Sequence, residues 1–385
     1  MKIRIVSLFY GLFLLFASAA NAGDIDISGY ASFAGTFTNA KTTTGSHADF
    51  NNGLAIKDPQ FDTEASHFGL QLHTKVSDKV HFAADLSAQG GNSNFNLEAS
   101  WAYATYDFND ELSLRMGKYK GAFYMVSDYK DVGYAYPWVR PPLEVYSTNP
   151  ISSFSGLDLV YQGSVSDLAV LLELYAGNGT HTSKLIPSTI DDPSTGLAGF
   201  GFNKGDTVEF QTPNAKGFNL SFTGDIGTFR VGYFQTQVDA FGGQVNHEFG
   251  SFGGLGFNID WHNLVVYSEY IIRDTGPTLA AAFPDQTAYY LTTGYRMGKF
   301  LPYITYARMD KGKDPSPYTQ LQSSVAIGMR TEVSDSSAVK FEVMKVTPVK
   351  NPYSVGFNGT SAGYGLFDSP VKDGTVATVT FDVIF

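Results

Sequence analysis

His73 and His81 stand two positions outside Lys75 and Lys79, with Ser77-Asp78 between the lysines. If this stretch forms a hairpin that pairs Lys75 with Lys79, the two imidazoles lie opposite each other on one face of a sheet. Two such rings can share a transition metal, or titrate near their ordinary pKa of about 6.5. No carboxylate or third histidine stands at a defined spacing, and the neighbouring ammoniums oppose a bound cation. The pair therefore reads as polar wall residues, and no metal or cofactor is expected. Nucleophilic chemistry finds no better footing. Gly163-Ser164 and Gly45-Ser46 lack the flanks of a nucleophile elbow, and His47 and His181 have no evident partner. Gly242-Gly243 and Gly253-Gly254 precede no helix that could hold a phosphate. An enzyme is not the expectation.

Charge placement is the chemistry that remains. Lys75, Lys79, Arg115, Arg230, Arg273, Arg296, Arg330 and Lys340 fall on the polar parity of extended segments, as do Asp85, Glu98, Glu173, Glu269, Glu332 and Glu342. Facing a water-filled lumen, such side chains set ion selectivity as charged rings do in pores. Any one of them can also be a solvated wall residue paired with its neighbour. The preference for anions or cations stays open.

The elements that would carry these charges are strands. Phe68, Leu70, Leu72, Thr74 and Val76 alternate with His67, Gly69, Gln71, His73 and Lys75, and the pattern resumes after the turn with Val80, Phe82, Ala84, Leu86 and Ala88. One hairpin fits a soluble sheet as well as a barrel wall. The alternation recurs along the chain, opening with Ile25–Thr38 and closing with Thr375–Phe385, which gives about sixteen strands, an even number. Short turns alternate with longer connections: Asn39–Ala65, Tyr119–Ser155, Asn178–Thr207, Thr236–Gly254, Asp274–Gln286 and Thr347–Gly374, with Gly90–Asn96 and Asp310–Leu321 of modest length. Turns on one rim and loops on the other is the asymmetry of outer-membrane barrels, and a sandwich gives no reason for it. The predicted class is an all-β, transmembrane, antiparallel barrel with long extracellular loops and short periplasmic turns.

The ends and the composition agree. Lys2 and Arg4 precede an apolar run from Ile5 to Ala17, and Ala20-Asn21-Ala22 offers a cleavage site, so residues 1–22 read as a signal peptide and 23–385 as the barrel. Taking Lys2 and Arg4 from the 26 basic residues leaves 24 against 37 acidic ones, a net of −13, which disfavours nucleic acid. The absence of Cys excludes disulfides and thiolate sites. With 40 Gly, 31 Phe and 23 Tyr, the composition suits strands, turns and aromatic girdles rather than spanning helices. At the C-terminus Val379, Phe381, Val383 and Phe385 alternate with Thr380, Asp382 and Ile384.

With the strand count, the loop pattern and that aromatic end, the mature chain resembles the sixteen-stranded Gram-negative porins over its whole length. Arg115-Met116-Gly117-Lys118-Tyr119 is similar to the segment that leads into the third loop of several porin subfamilies. The resemblance implies an inward-folded constriction loop over 119–155, with Arg115, Lys118, Lys120, Asp128, Lys130, Asp131, Arg140 and Glu144 lining the pore. Four cations are interleaved with the three acids, unlike the acidic cluster usual in general diffusion porins. An external loop packed on itself or on neighbouring subunits is the alternative. Pro137, Pro141 and Pro142 stiffen a segment rich in rings, which favours constriction. The resemblance further implies passive diffusion of small hydrophilic solutes and ions through the outer membrane, with lipid as surroundings. The alternatives are a channel selective for an anion, sugar or organic acid, with Arg115 and Arg140 as contacts, and a surface receptor or adhesin. Phe381 and Phe385 would be read by the barrel-assembly machinery after export through the periplasm. A homotrimer is implied too, and Gly29, Ala31 and Gly35 on the first strand offer a small-residue face for it.

Overall fold

The computed structural model describes residues 25–42, 44–51, 54–58, 60–91, 94–184, 207–281, 283–315, 319–349, 365–367 and 370–385. The predicted signal peptide, residues 1–22, lies outside them, as do most of the connections that end at Thr207 and Gly374. Sixteen strands follow one another: β1 (Ile25–Thr38), β2 (Gln60–Ser77), β3 (Val80–Gly91), β4 (Asn94–Asp107), β5 (Leu112–Lys120), β6 (Ser153–Val165), β7 (Leu168–Lys184) and β8 (Thr207–Gly224) in the first half. The second half holds β9 (Gly227–Ala240), β10 (Val245–Trp261), β11 (Leu264–Thr275), β12 (Gln286–Tyr295), β13 (Phe300–Lys311), β14 (Gln322–Ser334), β15 (Ser337–Pro348) and β16 (Gly374–Ile384). Each pairs antiparallel with the next, and β1 pairs with β16 to close the barrel.

Period-two alternation gives this wall two chemically different faces. Outward positions are mostly apolar and open to the surroundings: Ile27 is 66% exposed, Ile327 64%, Leu291 48% and Phe341 52%. A soluble protein does not present so many exposed aliphatic and aromatic side chains all round its surface. A bilayer requires them, and closure leaves no strand edge unpaired within it. Tyr270, Tyr289 and Tyr306 form an outward row on β11, β12 and β13, with ring centroids 6.4 and 6.3 Å apart. Such rings suit a membrane interface.

Three details depart from the sequence reading. The hairpin between β2 and β3 pairs Ser77 with Val80 and Lys75 with His81, with an irregularity between them, so His73 faces Ala83. The predicted imidazole pair does not form. His73 instead lies 6.2 Å from the Trp101 ring, and His81 is 2.9 Å from Asp107. The expected long connection Thr236–Gly254 is the second departure. Strands β9 and β10 extend through most of it and are joined by a single turn over Phe241–Gly243. Gly242 and Gly243 adopt φ of 64° and 91°, a backbone region open to glycine, and this lets the hairpin turn tightly. The expected segment Gly90–Asn96 shrinks for a similar reason, since β3 runs to Gly91 and β4 starts at Asn94.

At the seam Gly29 and Phe385 exchange backbone hydrogen bonds of 2.7 and 3.0 Å. The Phe385 ring lies over Gly29 so closely that a Cβ there would be 2.4 Å from its edge. The small-residue face expected on β1 is therefore occupied, in part, by the chain's own C-terminal ring.

Candidate functional site

Residues 121–152 leave β5, turn into the lumen and return to β6. Their sequence favours enclosure. Phe123 packs edge-on to Phe154, Phe234 and Phe252 at 5.7, 5.1 and 5.9 Å, and Tyr124 stacks on Tyr146 at 4.4 Å. Ser127 Oγ accepts from the Phe123 and Tyr124 N–H groups and folds the first turn. Pro141 and Pro142 delay helix formation until Leu143–Tyr146, the short helix α1. Trp138 is 1% exposed, lies edge-on to Tyr267 and Tyr290, and donates from Nε1 to Thr292 Oγ1 at 2.8 Å. The loop is folded inward, as expected, and the alternative of an external loop is excluded.

The inward cations of the second half of the barrel serve this loop. Lys340 Nζ donates to Gly133 O at 2.5 Å and Trp138 O at 2.8 Å, and it pairs with Asp382 at 3.1 Å. Arg330 donates to Tyr136 O at 2.9 Å and also to Tyr134 O, with its guanidinium 4.6 Å over the Tyr134 ring. Arg230 reaches Tyr124 O, and Arg273 reaches Thr148 O. Glu269 works in the opposite sense, accepting from Met125 N at 2.9 Å, from Tyr290 OH at 2.8 Å and from Tyr146 OH. An irregular segment enclosed by protein must satisfy its backbone carbonyls, and the wall supplies the donors. All five are 9% exposed or less. Alternation placed them inward correctly, but they face the loop rather than open water.

In the other half of the lumen one cation, Arg115, stays closer to solvent while its two carboxylate partners are buried. Arg115 on β5 lies 3.2 Å from both Asp158 of β6 and Glu173 of β7, and 25% of its side chain is exposed. Asn219 of β8 donates to Glu173 at 2.7 Å and accepts from Arg230 Nε at 2.6 Å. One hydrogen-bonded chain thus runs from β5 to β9 and on into the loop. Asp128, exposed on the loop, acts electrostatically on Arg115, Asp158 and Glu173. Asp158 escaped the sequence reading, although its position between outward Leu157 and Leu159 marks it as inward.

The remaining predicted residues divide. Lys120, at the end of β5, pairs with Asp131 at 2.7 Å, and His67 Nε2 lies 2.5 Å from Asp131 O. Burial alone would raise the Asp131 carboxyl, but the Lys120 and Lys130 ammoniums hold it down at about 2. Lys130 is exposed beside them. Arg140 is half-buried against β16 and donates to Thr378 at 3.0 Å. Two expectations are corrected. Lys118 shares the outward register of Met116 and Leu157 and returns its ammonium to Ala99 O at 2.7 Å, so it does not line the lumen. Glu144 is 1% exposed, enclosed between α1 and β14, and accepts from Gln322 Nε2 at 2.7 Å; burial raises its carboxyl above the ordinary value. Among the described residues, no three His, Asp or Glu side chains are grouped as metal ligands.

No protein-family model and no curated protein sequence matches the chain. Solved structures do. The anion-selective porin from Comamonas acidovorans superimposes with a TM-score of 0.59 at 12% identity, over 94% of this chain and 99% of that one. The chain has the porin fold. The outer-membrane channel DcaP of Acinetobacter baumannii gives a TM-score of 0.58 at 12% identity, over 94% of this chain and 97% of that one. The trimer form of OmpT, an outer-membrane protein of Vibrio cholerae, gives 0.55 at 13% identity, over 95% and 100%.

Proposed function

We propose that the protein is an outer-membrane porin of a Gram-negative bacterium, through which small hydrophilic solutes and ions diffuse passively. The observation that carries this reading is the division of the lumen. Most polar anchors of the third loop come from the β9–β16 wall, while β4 and β5 with the loop residue Asp128 leave Arg115 and Tyr103 partly open to solvent. A lipid-facing barrel with a charged, water-accessible strip beside an enclosed loop suits a constricted aqueous channel and no chemistry on the solute. Export fits the same reading: residues 1–22 serve as a signal cleaved after Ala22, and Phe381 and Phe385 are presented to the assembly machinery. A homotrimer is in keeping with the trimer form of OmpT. Planar-bilayer recording tests the function. A stepwise, ohmic conductance in KCl is expected from purified protein, and its absence at saturating insertion would overturn the porin reading. Unboiled electrophoresis tests the trimer, for which a monomer-sized band alone counts against it.

A further inference from the structure

The loop-side mouth holds a cavity of about 360 Å³ between the two stems of the third loop, with Asn51 and Leu366 at its rim. That volume falls within the usual range of small-molecule sites, about 300–1,000 Å³. Its wall carries more cations than anions. Lys120 and Lys130 line it against one carboxylate, Asp131, and Lys120 already occupies that carboxylate at 2.7 Å. The Lys130 ammonium is solvent-exposed and has no hydrogen-bond or salt-bridge partner among the described residues, while its backbone carbonyl accepts from Tyr136 OH at 3.1 Å. Asn149 adds a second idle donor. Its Oδ1 accepts from the Ile151 N–H at 3.0 Å, which fixes the amide, and its buried Nδ2 has no acceptor among the described residues. A buried amide N–H without a partner is costly, and a ligand oxygen would satisfy it. Around these donors stand the hydroxyls of Ser147, Ser152 and Thr182.

We propose that this mouth is a capture site for small hydroxylated carboxylates of the sugar-acid type, held by Lys130 and the Asn149 amide at the carboxylate and by the serine and threonine hydroxyls along the polyol. The charge balance chooses a monoanion. Two ammoniums against one carboxylate leave one positive charge, too few for a dianionic phosphate. Lys120 and Lys130 repel one another across this wall, and Asp131 offsets that only in part. An incoming carboxylate relieves that repulsion. The assignment rests on the porin reading and adds a solute class to it.

The test uses full-length protein purified in detergent and gluconate as the probe, with sorbitol as its uncharged counterpart. Calorimetric titration is expected to give saturable binding of gluconate that weakens about tenfold in Lys130→Gln, survives in Lys130→Arg and weakens in Asn149→Ala. In bilayers at fixed KCl, gluconate added on the loop side should reduce the current with the same half-saturation. Absence of gluconate binding, or equal binding by the parent and Lys130→Gln, overturns the site. Equal binding of sorbitol overturns the carboxylate assignment. A protein that binds gluconate but conducts no KCl current would keep the site and lose the porin reading, so the two failures are distinct.

Discussion

Lys340 Nζ and Asp382 Oδ2 meet at 3.1 Å beneath the third loop, and both side chains are sealed from solvent, at 0% and 1% exposure. A pair so placed is sensitive to the loss of either member, because the partner is left charged in a low-dielectric site. Lys340→Met is expected to destabilise the folded barrel by about 3–5 kcal/mol, and to free the Gly133 and Trp138 carbonyls together. Urea titration followed by heat-modifiable mobility measures the first effect. Noisier single-channel current reports the loosened loop. An unchanged urea midpoint would show the pair to be dispensable.

The seam offers a second test. Phe385→Ala is expected to lower the outer-membrane yield well beyond what about 2 kcal/mol of lost apolar burial explains, while leaving conductance unaltered. Gly29→Val should mimic it, since a Cβ at that position meets the ring at 2.4 Å. Normal yield of Gly29→Val would mean that the ring has no specific seat. Altered conductance in either variant would contradict the outward orientation of Phe385.

Acidity separates two carboxyls of the loop. Asp131 is held at about 2 against an ordinary 3.8, so its tether to Lys120 is fully present above about pH 4 and is lost as pH falls towards 2. Current noise should stay flat from pH 8 to about 4 and rise below it, and Asp131→Asn should be noisy throughout. Glu144 has the opposite sign. Burial raises it, so folding favours its neutral form, and stability attributable to it declines as pH climbs above the ordinary 4.5. Glu144→Gln is therefore expected to match the parent at acid pH and to exceed it in urea resistance at pH about 8.

Arg115 is the one guanidinium held between Asp158 and Glu173. Arg115→Gln leaves those carboxylates, and Asp128 facing them, without their cation. The reversal potential in a KCl gradient should move towards greater cation permeability. A shift towards chloride would place Arg115 outside the conducting path.

Much of this architecture is legible in the sequence because a barrel wall is a local code. Each strand declares its inward face by alternation, and the sixteen strands, including Ile25–Thr38 to the residue, follow from it. Lys118 was also legible: it lies three positions from inward Arg115, so parity alone sends it outward, and only the resemblance of its neighbourhood to a loop entrance drew it into the lumen set. The His73 register was not, since a single irregularity between Lys75 and Ser77 moves the pairing and sequence carries no mark of it. Nor was the burial of Glu144 or the occupation of Arg330, because their partners lie 178 and 194 or more residues away and depend on how an irregular segment folds inside a closed wall.

The moorings of the third loop also bear on mechanics. Its fastenings reach strands as far apart as β2, β9 and β16, through His67, Arg230 and Thr378. A segment braced against opposite sides of a hollow cylinder acts as an internal strut, resisting lateral compression that would flatten an empty tube of the same width. Lateral pressure from a stiff membrane would then be borne by the loop and its anchors, and the water-filled strip beside them would keep its width.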